Sequence, residues 1–145
     1  MGLWIEIRCA AMFDPGEIDS GRPWAQASLR IASEIMSAEA ISDLLGLKPS
    51  NQRTSDGDPP FVVWMLESGL APSAAVEDHL YILMERLNTA GPALSRLCET
   101  STVEIWLSLS AGDRHRSAVL SHRVLGELGR LGIDLVLDAY PSGKH

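Results

Sequence analysis

Two stretches in the last third of the chain alternate apolar and polar side chains, and this alternation restricts the folds open to the sequence. In the first stretch Val103, Ile105 and Leu107 recur at every second position. In the second stretch Ile133 and Leu135 do the same. A period of two residues is typical of a strand with one buried face, because successive side chains of a strand point to opposite sides of the sheet. We therefore predict two half-buried strands in this region.

A short helix is predicted between these two strands. Ser121 is suited to cap its N-terminus, and Gly132 is suited to the left-handed conformation in which helices often end. The apolar stripe of this helix consists of Val124, Leu125, Leu128 and Leu131. A helix that connects two strands packs on one face of their sheet, so the helices are expected on one side only.

The remaining elements follow from the same periodicities, except that residues 61–67 are a continuous apolar run, which predicts a strand covered on both faces. Strands are predicted at residues 3–12, 27–33 and 61–67, and helices at residues 38–45, 74–88 and 93–98. Ser37 and Ser73 are the predicted N-caps of the first two helices. The polar segment Lys48–Pro60, rich in turn-forming residues, is predicted to be a mobile loop.

The order of these elements contains a weak repeat. The segment LRIAS, a capping serine and a short helix recur later as WLSLS, a capping serine and a short helix. We predict an α+β fold of the ferredoxin-like, split βαβ sandwich type, with a mostly antiparallel sheet and helices on one face. An N-terminal strand and a central helix are additions to it. The alternative is an open mixed sheet in which the N-terminal strand is more central.

The predicted domain organisation has three parts. Residues 1–26 form an N-terminal strand and arm, residues 27–140 form a single α+β domain, and residues 141–145 form a flexible tail. With 145 residues the chain is long enough for one hydrophobic core.

Several segments together resemble a bacterial family catalogued as domain of unknown function 4279. They are ASLRI, AISDLLGLKPS, the Gly57-Asp58 pair, the strand around Trp64, the helix start at residues 76–80, and VLSHRVLGELGRLGIDLVLDAY. The resemblance covers residues 27–140. It implies a small α/β domain, and it carries over no catalytic residue.

Composition excludes several classes of partner. A formal net charge of −7 opposes binding to nucleic acid, which requires Lys and Arg to neutralise phosphates. The sequence contains no apolar run long enough for a membrane span and no basic leader, so we expect a cytoplasmic protein without membrane contact. Cys9 and Cys98 are expected to be free buried thiols.

The motifs of common cofactor and metal sites are missing from the sequence. No histidine pair has the spacing of metal ligands, no C-x-x-C occurs, and neither a phosphate-binding glycine loop nor a G-x-S-x-G elbow is found. The Asp56-Gly57-Asp58 segment lacks the later ligands of a calcium loop. We therefore expect no cofactor, no metal and no catalytic residue, and we interpret the histidines as surface or boundary residues.

One constellation remains as a candidate site, on the sheet face opposite the helices. Its members are Arg30, Glu104, Trp106, Asp134, Asp138 and Tyr140. Three interpretations are open: a face covered by a partner subunit or by the N-terminal strand and arm, packing within the monomer, or a ligand or acid–base site. Interfaces favour aromatic residues and Arg, which supports the first.

These observations favour a protein that works by contact rather than by catalysis. We expect a regulatory or immunity-type binding module that forms a homodimer or binds a protein partner. The alternative is a small hydrolase or ligand-binding domain that uses Asp134, Asp138 and Arg30 near Trp106.

A basic set around the last helix is interpreted as a solvated face or, alternatively, as an anion-binding patch; it comprises Arg114, His115, Arg116, His122, Arg123 and Arg130.

Overall fold

A computed structural model of the protein describes residues 21–141. The elements in that range, in chain order, are β1 (Trp24–Ser33), α1 (Ala38–Leu45), β2 (Asn51–Ser55), β3 (Phe61–Glu67), α2 (Val76–Ala90), α3 (Pro92–Thr100), β4 (Thr102–Ser110), α4 (His122–Leu131) and β5 (Asp134–Ala139). The strand predicted at residues 3–12, Cys9 and residues 142–145 of the predicted tail lie outside the described residues.

The five strands form one sheet in the order β2-β3-β1-β4-β5. The β2–β3, β3–β1 and β1–β4 pairs are antiparallel, and only β4 and β5 are parallel. The connection from β1 through α1 to β2 leaves β3 between its two strands, whereas α4 joins two adjacent strands. The predicted α+β class and the mostly antiparallel sheet are confirmed.

The helices lie on one face of the sheet, as predicted. The core on that side combines Leu29, Ile31 and Ile105 from the strands with residues from each of the four described helices. Trp64 on β3 is fully buried there, and its Nε1 donates a hydrogen bond of 2.9 Å to Ser42 Oγ on α1. A separate apolar cluster on the opposite side is built only from strand residues. We call that side of the sheet the second face.

Helix ends largely follow the predicted capping residues. The Ser37 and Ser121 side chains accept hydrogen bonds from backbone N–H groups in the first turns of α1 and α4. Gly132 ends α4 in the left-handed region, as predicted. The predicted cap at Ser73 is wrong, because residues 71–74 form a turn closed by a 3.0 Å hydrogen bond and α2 starts only after Ala75.

The prediction of a loop at 48–60 is wrong for its middle, where the chain forms β2. The five residues of β2, NQRTS, are all polar, so no alternation of apolar residues marks this strand in the sequence. In the structure they are exposed or half-buried. Its backbone pairs with β3 at every position, and such hydrogen bonds do not depend on apolar side chains. β1 is also longer than predicted, because Trp24 already pairs with Ser110.

α4 buries a narrower stripe than its sequence suggests. Val124 and Leu128 are buried, but Leu125 is 48% exposed, so its predicted place in the core is wrong. A Cβ atom added at Gly126 or Gly129 would meet no atom within 4 Å. These two glycines therefore do not serve close packing against the sheet.

Candidate contact surface at the second face and the β5 edge

Arg30, Glu104 and Trp106 occupy the centre of the second face. Arg30 on β1 is opposite Glu104 on β4, and Trp106 lies two residues further along β4. All three side chains are buried, with exposures of 4%, 1% and 5%. The Arg30 guanidinium carbon lies 4.1 Å from the centre of the Trp106 ring, and Trp106 Nε1 donates to Glu104 Oε1 at 3.3 Å. A cation–π contact and a charge-assisted hydrogen bond thus hold this centre together.

Burial shapes the electrostatics of this centre. It lowers the pKa of Arg30 from its ordinary value, while the negative charge of Asp138 acts in the opposite direction. Arg30 remains a cation, because the pKa of arginine lies far above the working range of proteins. Burial also raises the pKa of Tyr140, and a hydrogen bond with Asp138 adds to that shift. Arg30, Asp138 and Tyr140 are therefore one electrostatic group.

An apolar cluster adjoins this charged centre. Trp106 packs with residues of β1 and β3 and with the half-buried Val136 of β5, and the other buried members are Ala32, Phe61, Val63 and Met65. β3 is therefore apolar on both faces, as its unbroken apolar sequence predicts. The result is that the second face has a hydrophobic core of its own.

The two aspartates of the candidate set lie on β5, at one end of the sheet. Asp134 is opposite Glu104, and Asp138 is opposite Ser108, whose hydroxyl donates to Asp138 Oδ2 at 3.3 Å. Asp134 is exposed and Asp138 is half-buried. Four residues along a strand span roughly 13 Å, which is too far for the two carboxylates to share a proton.

Tyr140 follows β5 and also lies on the second face. Its backbone N–H donates to the Leu109 carbonyl at 2.9 Å, and its ring centre is 5.2 Å from that of Trp24. The structure thus brings together Arg30, Trp106, Asp138 and Tyr140. Asp134 is not part of this group: it lies beside Glu104 on the neighbouring strand, and its side chain is exposed at the edge of the sheet.

β5 is an edge strand in the part of the chain that the structure describes. Leu137 is 60% exposed on its helix side, where Leu125 of α4 is also exposed. Leu135 and Val136 are half-buried. The strand contains neither Pro nor Lys, the residues with which proteins commonly protect a sheet edge. β2, the opposite edge, is polar throughout and carries Arg53.

The predicted basic set does not form one patch. Arg114 and His115 lie on the exposed connection between β4 and α4. His122, Arg123 and Arg130 line a groove of about 560 Å³ between α2 and α4. In that groove Arg130 forms a 2.8 Å salt bridge with Glu127 and a hydrogen bond with Asn88, so part of its charge is neutralised locally.

His79 is a buried residue that the prediction of surface or boundary histidines missed. It is 0% exposed, and its Nδ1 shares a 2.6 Å hydrogen bond with the buried Ser68 hydroxyl. The signal was present in the sequence, because His79 is three residues after Val76 and four before Leu83 on the buried stripe of α2. Ser68 follows β3, so the pair ties α2 to the sheet.

The burial of His79 predicts a pH-dependent stability. Burial lowers the pKa of His79 below its ordinary value near 6.5. Above that pH the residue is neutral in both the folded and the unfolded chain and contributes no pH dependence. Below it the unfolded chain takes up the proton first, so the free energy of unfolding falls by up to about 1.4 kcal/mol per pH unit until the lowered pKa is reached.

Urea unfolding at a series of pH values between about 7 and 5 measures this effect. His79→Gln removes the titrating group and serves as the control, because all other groups titrate alike in both proteins. We expect the stability of the wild type to fall more steeply than that of the variant. Parallel curves for the two proteins would show that His79 titrates normally.

Metal-binding groups and membrane-crossing helices are not found within residues 21–141. No cluster of three or more His, Cys, Asp or Glu side chains in this range could hold a metal ion. The longest described helix, α2, has 15 residues, and no described helix combines the length and apolar character needed to cross a membrane. Cys98 is half-buried and free, and burial raises the pKa of its thiol.

Comparison with known protein families gives a match over most of the chain. The model of a family described as domain of unknown function (DUF4279) matches residues 22–142, which include every described strand and helix. The resemblance to domain of unknown function 4279 that was inferred from the sequence is therefore confirmed. No curated protein and no solved structure matches the chain.

Proposed function

The chain belongs to the family of domain of unknown function 4279, and from its geometry we propose that it acts by protein–protein contact, as a regulatory or immunity-type binding module. The contact surface is the β5 edge, bordered by α4 on one side and by Asp134 and Asp138 on the other. A strand of the partner pairs with β5 and extends the sheet.

The observation that carries this proposal is the exposed apolar edge of β5. On an edge strand every second residue directs its backbone N–H and C=O outward, where another strand can pair with them. Leu137 of β5 is 60% exposed, so apolar surface borders these backbone groups on the helix side. Main-chain pairing together with burial of such leucines is how strand addition gives affinity.

The geometry supports the catalytic alternative less well. A hydrolase with paired carboxylates needs them about 5–10 Å apart, and Asp134 and Asp138 are separated by roughly 13 Å along β5. Arg30 is buried against Trp106, where it stabilises the sheet instead of facing a cleft. The cavity beside it, lined by Ser28, Met65 and neighbouring residues, has a volume of only about 10 Å³.

We further propose that β1–β4 with α1–α3 form a ferredoxin-like unit to which α4 and β5 are added. The order β2-β3-β1-β4 supports this assignment, because the connections β1–α1–β2 and β3–α2–α3–β4 each leave one strand between the strands they join. β5 is then the added strand that carries the contact surface, in a protein that we expect to be cytoplasmic.

The partner of β5 is either another protein or, as predicted from the sequence, a second copy of this chain. Leu137→Lys places a charge on the proposed surface, and Thr54→Lys on the β2 edge is the matched control. A partner recovered with the tagged wild type from its own cells is purified and titrated against all three proteins. We expect the affinity to fall at least about tenfold for Leu137→Lys and to stay unchanged for Thr54→Lys.

Analytical ultracentrifugation of the wild type tests the homodimer in the same way. A dimer that Leu137→Lys converts to a monomer would support contact through β5. The proposal fails if the partner or the second copy binds equally well to Leu137→Lys, or if the wild type is a monomer for which no partner is found.

A further inference from the structure

We propose that the β5 edge binds an extended strand with a basic residue at each end of an aliphatic centre. This inference rests on the proposed function and specifies the chemistry of the partner. It follows from the alternation of β5, whose leucines Leu135 and Leu137 point to the helix side while Asp134, Val136 and Asp138 point to the second face.

A strand added to β5 would place its side chains directly opposite those of β5, with Cβ atoms about 4.5–5.5 Å apart. Two of its positions would face Asp134 and Asp138 on the second face. Within residues 21–141 neither carboxylate forms a salt bridge, although Asp138 accepts a hydrogen bond from Ser108 and interacts electrostatically with Arg30. Lys or Arg at those two positions would therefore meet acidic partners, whereas Asp or Glu would meet a like charge.

The helix side of the added strand would meet a different surface. Its side chains there would pack over the half-buried Leu135 and the exposed Leu137. Val, Ile or Leu at these positions would bury apolar surface that is now exposed. The predicted pattern is basic, aliphatic, small apolar, aliphatic, basic, and it reads the same in both chain directions.

Charge argues against a second copy of the chain as the occupant. An antiparallel pair of β5 strands centred on Val136 places Asp134 of each copy opposite Asp138 of the other. If the pair is centred on Leu135 instead, Asp134 lies diagonally across from Asp134 of the other copy. If it is centred on Leu137, the same holds for Asp138. Like charges at these positions destabilise a sheet, and each copy carries a net charge of −7.

The test uses two cyclic β-hairpin peptides that differ only in charge. One strand of the first contains the core Lys-Val-Ala-Val-Lys, and the second has Glu in place of both lysines. A preformed hairpin avoids most of the entropy cost of ordering a free peptide. Fluorescence anisotropy with the full-length protein at low salt should show binding of the basic hairpin, at least about tenfold tighter than the acidic hairpin, and weaker binding at high salt.

The charge-reversed double variant Asp134→Lys, Asp138→Lys is the decisive control. It should prefer the acidic hairpin by a similar factor, and circular dichroism confirms that it folds. A preference for the basic hairpin that survives the reversal overturns the inference, as does the absence of binding of either hairpin at about 1 mM.

Leu137→Lys separates a failure of this inference from a failure of the proposed function. If it abolishes the binding of both hairpins and the charge reversal has no effect, strand addition at β5 stands and the basic specificity is wrong. If the basic hairpin binds Leu137→Lys as tightly as the wild type, its binding site is elsewhere, and both the inference and the proposed use of the β5 edge are wrong.

Discussion

Replacement of Trp106 by alanine is expected to lower the free energy of unfolding by about 3–5 kcal/mol. The side chain is 5% exposed and joins the apolar cluster of the second face, which includes Phe61 and Met65. Its loss leaves a cavity among residues that belong to three strands, and it also removes the cation–π contact with Arg30. Urea unfolding of the wild type and the variant measures the difference.

Two further variants make this prediction specific. Trp106→Phe keeps an aromatic ring in the cluster but loses the hydrogen bond to Glu104, so we expect a loss of about 1–2 kcal/mol. Tyr81→Ala removes a large side chain that is 39% exposed on α2, and its cost should stay below about 1 kcal/mol. If Trp106→Ala is as mild as Tyr81→Ala, the second face has no hydrophobic core.

Gly112→Ala is expected to cost about 2–5 kcal/mol of stability. Gly112 follows β4 with a φ of 71°, a left-handed conformation that costs other residues about 1–2 kcal/mol. A Cβ atom there would also lie 2.7 Å from the Gly21 carbonyl oxygen and 2.9 Å from the Pro23 nitrogen. Because these neighbours are backbone atoms, they cannot move aside as a flexible side chain would, and overpacking adds about 1–3 kcal/mol.

Gly129→Ala is the matched control for this substitution. Gly129 lies inside α4, and an added Cβ there has open space on every side. Alanine should therefore stabilise the helix by about 0.5–1 kcal/mol. Equal unfolding midpoints for the two variants would show that the turn at Gly112 does not pack against residues 21–23.

The alternation of apolar residues in β1, β4 and β5 predicted correctly which side of the sheet their residues occupy. Trp106 lies on the second face, and Ile105 lies under the helices. Alternation does not indicate how deeply a residue is buried, because burial depends on the position of its strand in the sheet. Glu104 and Asp134 are neighbours on one face, yet the first is buried on a central strand and the second is exposed at the edge.

The sequence was least informative where side chains do not determine structure. β2 forms because its backbone pairs with β3, and its polar residues resemble those of a loop. The exposed edge at β5 was equally hidden, because strand order follows from contacts between distant segments. The candidate set therefore combined residues that the structure separates: a buried centre around Arg30 and Trp106, and the exposed Asp134 at the β5 edge.

Hydrogen exchange of the β5 amides tests contact through this edge most directly. The outward-directed amides of residues 134–139 should exchange at least about tenfold more slowly when the basic hairpin or the natural partner is bound. Those of β2, the other edge of the described sheet, should be unchanged. Protection of β2 or of the groove between α2 and α4, with β5 exchanging at its free rate, would contradict the proposed mode of contact.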